Sequence, residues 1–257
     1  MPPPLARPAP GATDPLAPLM DLPGVADAVT VAREAIDRLL NHRVLRRQSA
    51  AVSGESALRG ARASAALEGH EVPLTDLRAG VVVHDPVVLG ALRVSAGLGG
   101  LVPVWERAPL QAIARLHVLA AAGTVADEYL GRPAAATDTN RLTALAPLVS
   151  DNRATSGILL AAVVHGELAT LAPFGSLDGV VARAATRLTM ITRGVDPKSV
   201  SVPEVGHLER TDDYRAALLA YSTGEPAGVA DWLRHCATAV HLGAQEGLAI
   251  CEAVLRG

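Results

Sequence analysis

Apolar residues in this chain recur at helical spacing over most of its length. Val25, Val29, Ala32, Ile36, Leu39 and Leu40 share one stripe and predict a helix from 24 to about 47. Ser49 can cap a second helix running to about Leu67, with Gly69 and then Pro73 as stop signals. Thr75 or Asp76 opens a short third. The run "AGVVVHDPVVLGAL" reads two ways: Val81 to Val83 as a strand, or a loop leading into a helix from about Pro86. Pro109 starts another helix, its apolar face carrying Leu110, Ile113, Leu116 and Leu119. Residues 131–139 turn to Gly, Pro, Ala and Thr and predict an internal loop between two halves. The segment 154–171 is apolar nearly all round, the pattern of a central buried helix. Ser176 is placed to cap the next helix, which carries Val180, Ala184, Leu188 and Ile191 on one stripe and stops at Arg193, Gly194 and Pro197. Helices at about 212–221 and 229–255 complete an all-α bundle.

Composition fits that class. Of 257 residues 49% are apolar but only 2% aromatic, so the core must be built from Ala, Val and Leu, which pack closely along helices. A net charge of −3 supplies no basic field, so a nucleic acid polymer is not an expected partner. Cys236 and Cys251 stand about four turns apart on one predicted helix, too far to bridge, and read as free thiols of a reducing, cytoplasmic compartment. The opening "MPPPLARPAPGATDPLAPL" has no apolar h-region and reads as a disordered Pro-rich tail over 1–23, ahead of one helical domain over 24–257. No run of about 18 uninterrupted apolar residues marks a membrane span. Lys198 is the only lysine, and the bias to Arg, Ala and Gly points to a GC-rich, bacterial-type genome.

The candidate chemistry lies where "APFGS" joins the two buried-type helices. The amide-rich start of the second, near Gly175, Ser176, Asp178 and Gly179, is suited to an anion, and Arg183 and Arg187 lie one turn apart on one face, where they could meet a phosphate. The plainer reading is turn punctuation and solvated arginines. No histidine spacing marks a metal site; His70, His84, His117, His207, His235 and His241 are scattered.

"VVHGELATLAPFGSLDGVVAR" resembles the signature of the Fic (Fido) family, a helix with an early His leading into HPFx(D/E)GNGRxxR. His165 takes the early His, and Leu171, Pro173, Phe174, Gly179 and Arg183 fall in register without a gap. "YRAALLAYSTGEPAGVADWLRHC" resembles the family's Tyr-containing and Trp-containing helices, and "SAALEG", with Ser64, Glu68 and Gly69, its inhibitory motif (S/T)xxxE(G/N). The likeness runs from about residue 49 to the C-terminus and implies a Fic-like helical bundle, with the inhibitory-type helix at about 49–69. It also implies chemistry that this chain departs from. Ala172 stands where the family has its catalytic His, Ser176 where it has the metal-binding acid, Leu177 for the first loop Gly, Asp178 for the Asn and Val180 for the first phosphate-binding Arg. Losing a positioned base alone removes about 10² to 10⁴ in rate. His165, seven residues before Ala172 and about 10 Å away along a helix, cannot replace it.

The resemblance further implies that Glu68 pairs with Arg183 and holds it from a γ-phosphate. The family's target-binding hairpin should fall at 131–143, yet "GRPAAATDTNRLT" lacks strand alternation. The expectation is a pseudoenzyme without adenylylation activity, keeping a weak nucleotide or anion site at Gly175, Ser176, Asp178, Gly179, Arg183 and Arg187 and acting through an unknown protein partner, with homodimerisation open. ATP with magnesium is the ligand the resemblance would supply; no metal residue is assigned. Two alternatives stand beside it: an active nucleotidyl or phosphoryl transferase built on Asp178 and the two arginines, and a structural protein with a plugged pocket.

Overall fold

The computed structural model describes residues 14–81, 83–151 and 156–256, and among them it is all-α. Twelve α-helices follow in order: α1 Ala17–Met20, α2 Val25–Leu40, α3 Ser49–Leu67, α4 Leu74–Arg78, α5 Pro86–Arg107, α6 Pro109–Ala121, α7 Thr139–Ser150, α8 Gly157–Leu171, α9 Asp178–Thr192, α10 Pro203–Glu209, α11 Thr211–Ser222 and α12 Pro226–Arg256. The hydrophobic pair α8 and α9 forms the centre. Helix α8 buries an unbroken run from Ile158 to Gly166, as its all-round apolar pattern requires. It packs on α9, on α11 and on the 31-residue α12, which also carries α2 and α10. On the other side α5 lies against α3, α6 and α9.

Helix α5 is long and apolar enough to cross a membrane, but here it is a core helix, burying Val88, Val94, Leu101 and Trp105 among others. With so few aromatics, the two tryptophans act as anchors: Trp105 and Trp232 are both 0% exposed, and Trp232 Nε1 donates to the Ala162 carbonyl at 2.8 Å, tying α12 to α8.

The helical spacing placed most elements, with local departures. The first predicted helix ends at Leu40, and Arg43–Arg46 form a separate 3₁₀ turn. Residues 14–23 are not tail: α1 lies there and Leu16 is buried in the main core, whereas 1–13 lie outside the described residues. Of the ambiguous run, residues 81 and 83–85 form no strand and Asp85 caps α5, its carboxylate accepting from Val87 and Val88 N–H; residue 82 lies outside the described set. Helix α8 starts at Gly157, where the Ser156 hydroxyl caps it; 152–155 are likewise not described. Helices α7 and α10 were not anticipated. Both cysteines are buried and free.

Candidate functional site

The link between α8 and α9 turns on three residues of positive φ, Ala172 at 43°, Gly175 at 70° and Leu177 at 52°. Ala172 closes α8 in the left-handed region, its N–H donating to Leu168 O at 3.0 Å and its carbonyl accepting from Gly175 N–H at 3.1 Å. A Cβ in that region costs about 1 to 2 kcal/mol, so the tight turn is held against a local preference.

Ser176 does not cap α9. The helix begins at Asp178 behind Leu177, whose side chain makes no cap bond. Asp178 reaches backwards instead: its carboxylate accepts the Phe174 N–H at 2.9 Å, and the Gly175 and Ser176 amides beside it also favour its charge. The amides of this turn thus face an anion, and the anion is the chain's own. Burial pushes the Asp178 pKa up to about 6; the three amides pull it down and Glu68 adds to the rise.

Glu68 closes the same helix end from outside. A Cβ on Gly179 would press into its carboxylate, so glycine there lets the end of α3 approach the first turn of α9. Arg183 Nη2 donates to Glu68 Oε1 at 2.6 Å and to the Ser64 carbonyl at 3.0 Å, Nε to Ser64 Oγ at 2.9 Å, and Nη1 to the Tyr214 hydroxyl at 3.4 Å. Burial disfavours the Arg183 charge, and Tyr214 and Glu68 more than offset it. Ser64, Glu68, Gly179 and Arg183 are therefore brought together. Gly69 only terminates α3, with φ 90°.

Arg187 departs from its expected place beside an anion. Its guanidinium is committed to Glu204 through Nε at 2.6 Å and Nη2 at 3.1 Å, and to Ser199 and Ser201. One turn along α9 is enough to carry it from the loop to the α10 contact.

Behind Arg183 lies a cluster that spacing alone does not reveal. His165 Nε2 meets the Tyr214 hydroxyl at 3.0 Å, His207 Nδ1 meets His235 Nε2 at 3.0 Å, and Trp232 packs edge-on against His165. His165 is 0% exposed, in keeping with a structural histidine. Burial keeps all three imidazoles neutral, with pKa values well below the usual range for His165 and His207 and lowered to about 4 for His235.

On the far side of the loop, His117 stacks on Phe174 with ring centroids 4.1 Å apart, its Nδ1 accepting the Gly131 N–H at 2.9 Å. That bond assigns the remaining proton of the neutral ring to Nε2, which faces Ser176 Oγ at 3.3 Å. The imidazole therefore donates to the serine and has no lone pair with which to take its proton, so the two do not form an activated nucleophile. Burial lowers the His117 pKa, against an opposing hydrogen bond to the Ser176 backbone. Residues 131–138 contain no strand. They cross the loop instead, Ala134 N–H donating to Pro173 O at 2.8 Å and Thr137 Oγ1 to the same carbonyl at 2.8 Å.

No protein-family model and no curated protein sequence matches the chain. Solved structures do. A Fic family protein from Desulfovibrio desulfuricans G20 superposes with a TM-score of 0.72 at 19% identity, over 88% of this chain and 74% of that one. Fic-1 of C. elegans, residues 134–508, gives 0.68 at 17% identity over 90% and 73%, and a point variant of it 0.68 at 19% over 92% and 74%. The chain has the Fic fold. Within the Fic fold, Asp178, Gly179, Arg183 and Glu68 converge on the first turn of α9 while Ala172 closes α8 ahead of it, and Arg187 belongs to a neighbouring ion pair. Reading the sequence missed His117 and Glu204, which stand 55 residues before and 32 residues after Ala172 with no periodicity to link them to the loop. Tyr214 lay within the resembling segment but carried no assigned role.

Proposed function

We propose that this Fic-fold protein transfers no nucleotidyl group and acts by binding a protein partner. The observation that carries the reading is the Asp178 carboxylate folded back onto the loop, accepting the Phe174 N–H with the Gly175 and Ser176 amides beside it, where a phosphate would have to lie. Three further features support it. The position that the Fic resemblance gives to the base holds a methyl group, Ala172, which cannot accept a proton. Val180, in the position of the first phosphate-binding Arg, is 2% exposed and packed in the core. Arg183 already spends its donors on Ser64, Glu68 and Tyr214.

The residues present do not fit magnesium ATP. Ser176 offers a hydroxyl that accepts from His117 in place of a carboxylate ligand, and Asp178 is engaged by amides. An altered transferase built on Asp178 and the two arginines would have to dismantle all three of their contacts first. Incubating the purified protein with α-labelled ATP and cell lysate tests the reading. No label should pass to any protein; transfer that disappears in Asp178→Ala would overturn it.

A further inference from the structure

A second concave site lies on the opposite side of the loop. It is a cavity of about 510 Å³ whose walls include His117, Glu128, Tyr129, Arg132, Phe174 and Ser176, a size within the range of about 300 to 1,000 Å³ typical of small-molecule sites. It shares the loop residues Phe174 and Ser176 with the Asp178 contact, but Glu68, Asp178 and Arg183 do not line it, and nothing below depends on whether their contacts silence a transferase.

The chemistry of the wall is directional. Because Gly131 N–H fixes the His117 tautomer, Nε2–H points at Ser176 Oγ and the serine's own proton has to go elsewhere. No acceptor for it lies within hydrogen-bond reach among the described residues. Arg132 lines the same cavity, and its guanidinium makes no hydrogen bond or ion pair among the described residues. A free hydroxyl donor and a free cation in one cavity call for an anionic acceptor. Glu128, likewise unpaired in the wall, sets the limit on that anion: a second negative charge would meet it, so a monoanion is favoured over a phosphate. The rest of the wall is mostly apolar. The Phe174 ring, backed by His117 at an interplanar angle of 5°, and Tyr129, 61% exposed, offer aromatic faces for an organic body.

We propose that this cavity binds a small monocarboxylic acid with a flat apolar body, the carboxylate on Arg132 and the Ser176 hydroxyl and the body against Phe174 and Tyr129. Benzoate is the probe, followed by saturation-transfer NMR on the full chain, with benzamide and inorganic phosphate as comparators. Benzoate should give a saturable signal, with benzamide and phosphate binding at least tenfold more weakly. Arg132→Gln should weaken benzoate by about tenfold or more, the worth of one charge-assisted hydrogen bond. Tyr129→Ala should weaken benzoate and benzamide alike. Both side chains are exposed, so an unchanged melting temperature establishes that either variant is folded. Absence of a saturable benzoate signal, an affinity indifferent to Arg132→Gln, or phosphate binding as tightly as benzoate would each overturn the proposal.

Discussion

Arg183 and Arg187 stand one turn apart on α9, both buried, each paired with one glutamate from another part of the chain at 2.6 Å, yet the two pairs are built differently. The Arg187 and Glu204 side chains are 8% and 7% exposed, and two guanidinium nitrogens meet two carboxylate oxygens. The Arg183 side chain is 3% exposed but Glu68 is 25% exposed, meets it through a single oxygen, and is backed by Ser64 and Tyr214. One pair is a closed strut between α9 and α10. The other is a latch whose cation keeps partners when the anion leaves. Burial of both members, more than distance, separates a structural ion pair from one that can be opened.

Breaking the strut should have the largest effect. Glu204→Ala leaves the Arg187 charge buried without its counter-ion and should lower unfolding stability by about 3 to 5 kcal/mol in chemical denaturation. A loss as small as that of an exposed pair would abolish the distinction.

Acid should strike the latch side, where the neutral histidines lie. His165, His207 and His235 have pKa values lowered by burial, so the stability they allow is present above the unfolded value near 6.5 and is lost as pH falls toward and below about 4. Asp178, raised to about 6, acts oppositely: its contribution is complete below the unfolded value of 3.8 and fades as pH rises through about 6. Three groups outweigh one, so unfolding free energy should fall between pH 6.5 and 4, and His235→Gln should flatten the slope. A curve flat or rising toward acid would contradict this account of the cluster.

Opening the latch should cost less. Glu68→Ala removes one charged hydrogen bond from a buried cation that keeps its Ser64 and Tyr214 partners, and should cost about 1 kcal/mol. Gly179→Ala, whose methyl displaces the same carboxylate, should cost less in the Glu68→Ala background than in the wild type, and additive losses would show that the contact is not what Gly179 serves. Smallest is Ala172→Gly, which relieves a left-handed alanine and should raise stability by about 0.5 to 1 kcal/mol; a loss would mean that the methyl group packs usefully.

The helices of the bundle were legible because they repeat a simple constraint, an apolar stripe every three to four residues. Ser64, Glu68 and Arg183 were legible as a set through a resemblance spread over distant segments. What could not be read was which way side chains turn at a helix end. Ser176 looked like a cap, but Leu177, in the left-handed region, takes the cap position and Asp178 folds back onto the Phe174 amide. Arg187 looked like a partner for Arg183 because one-turn spacing says two residues share a face, not what each meets beyond it. Its true partner, Glu204, is 17 residues on and across a loop. His117 was invisible for the same reason: its role depends on the backbone N–H of Gly131.

The central claim is that the loop amides and Arg183 are already satisfied by carboxylates of the chain itself. Thermal unfolding of the wild-type protein against rising ATP, with and without magnesium, tests it most directly. The account predicts no change in melting temperature at any concentration; a saturable rise, worth about 2.7 kcal/mol at 100 times its Kd, would contradict it.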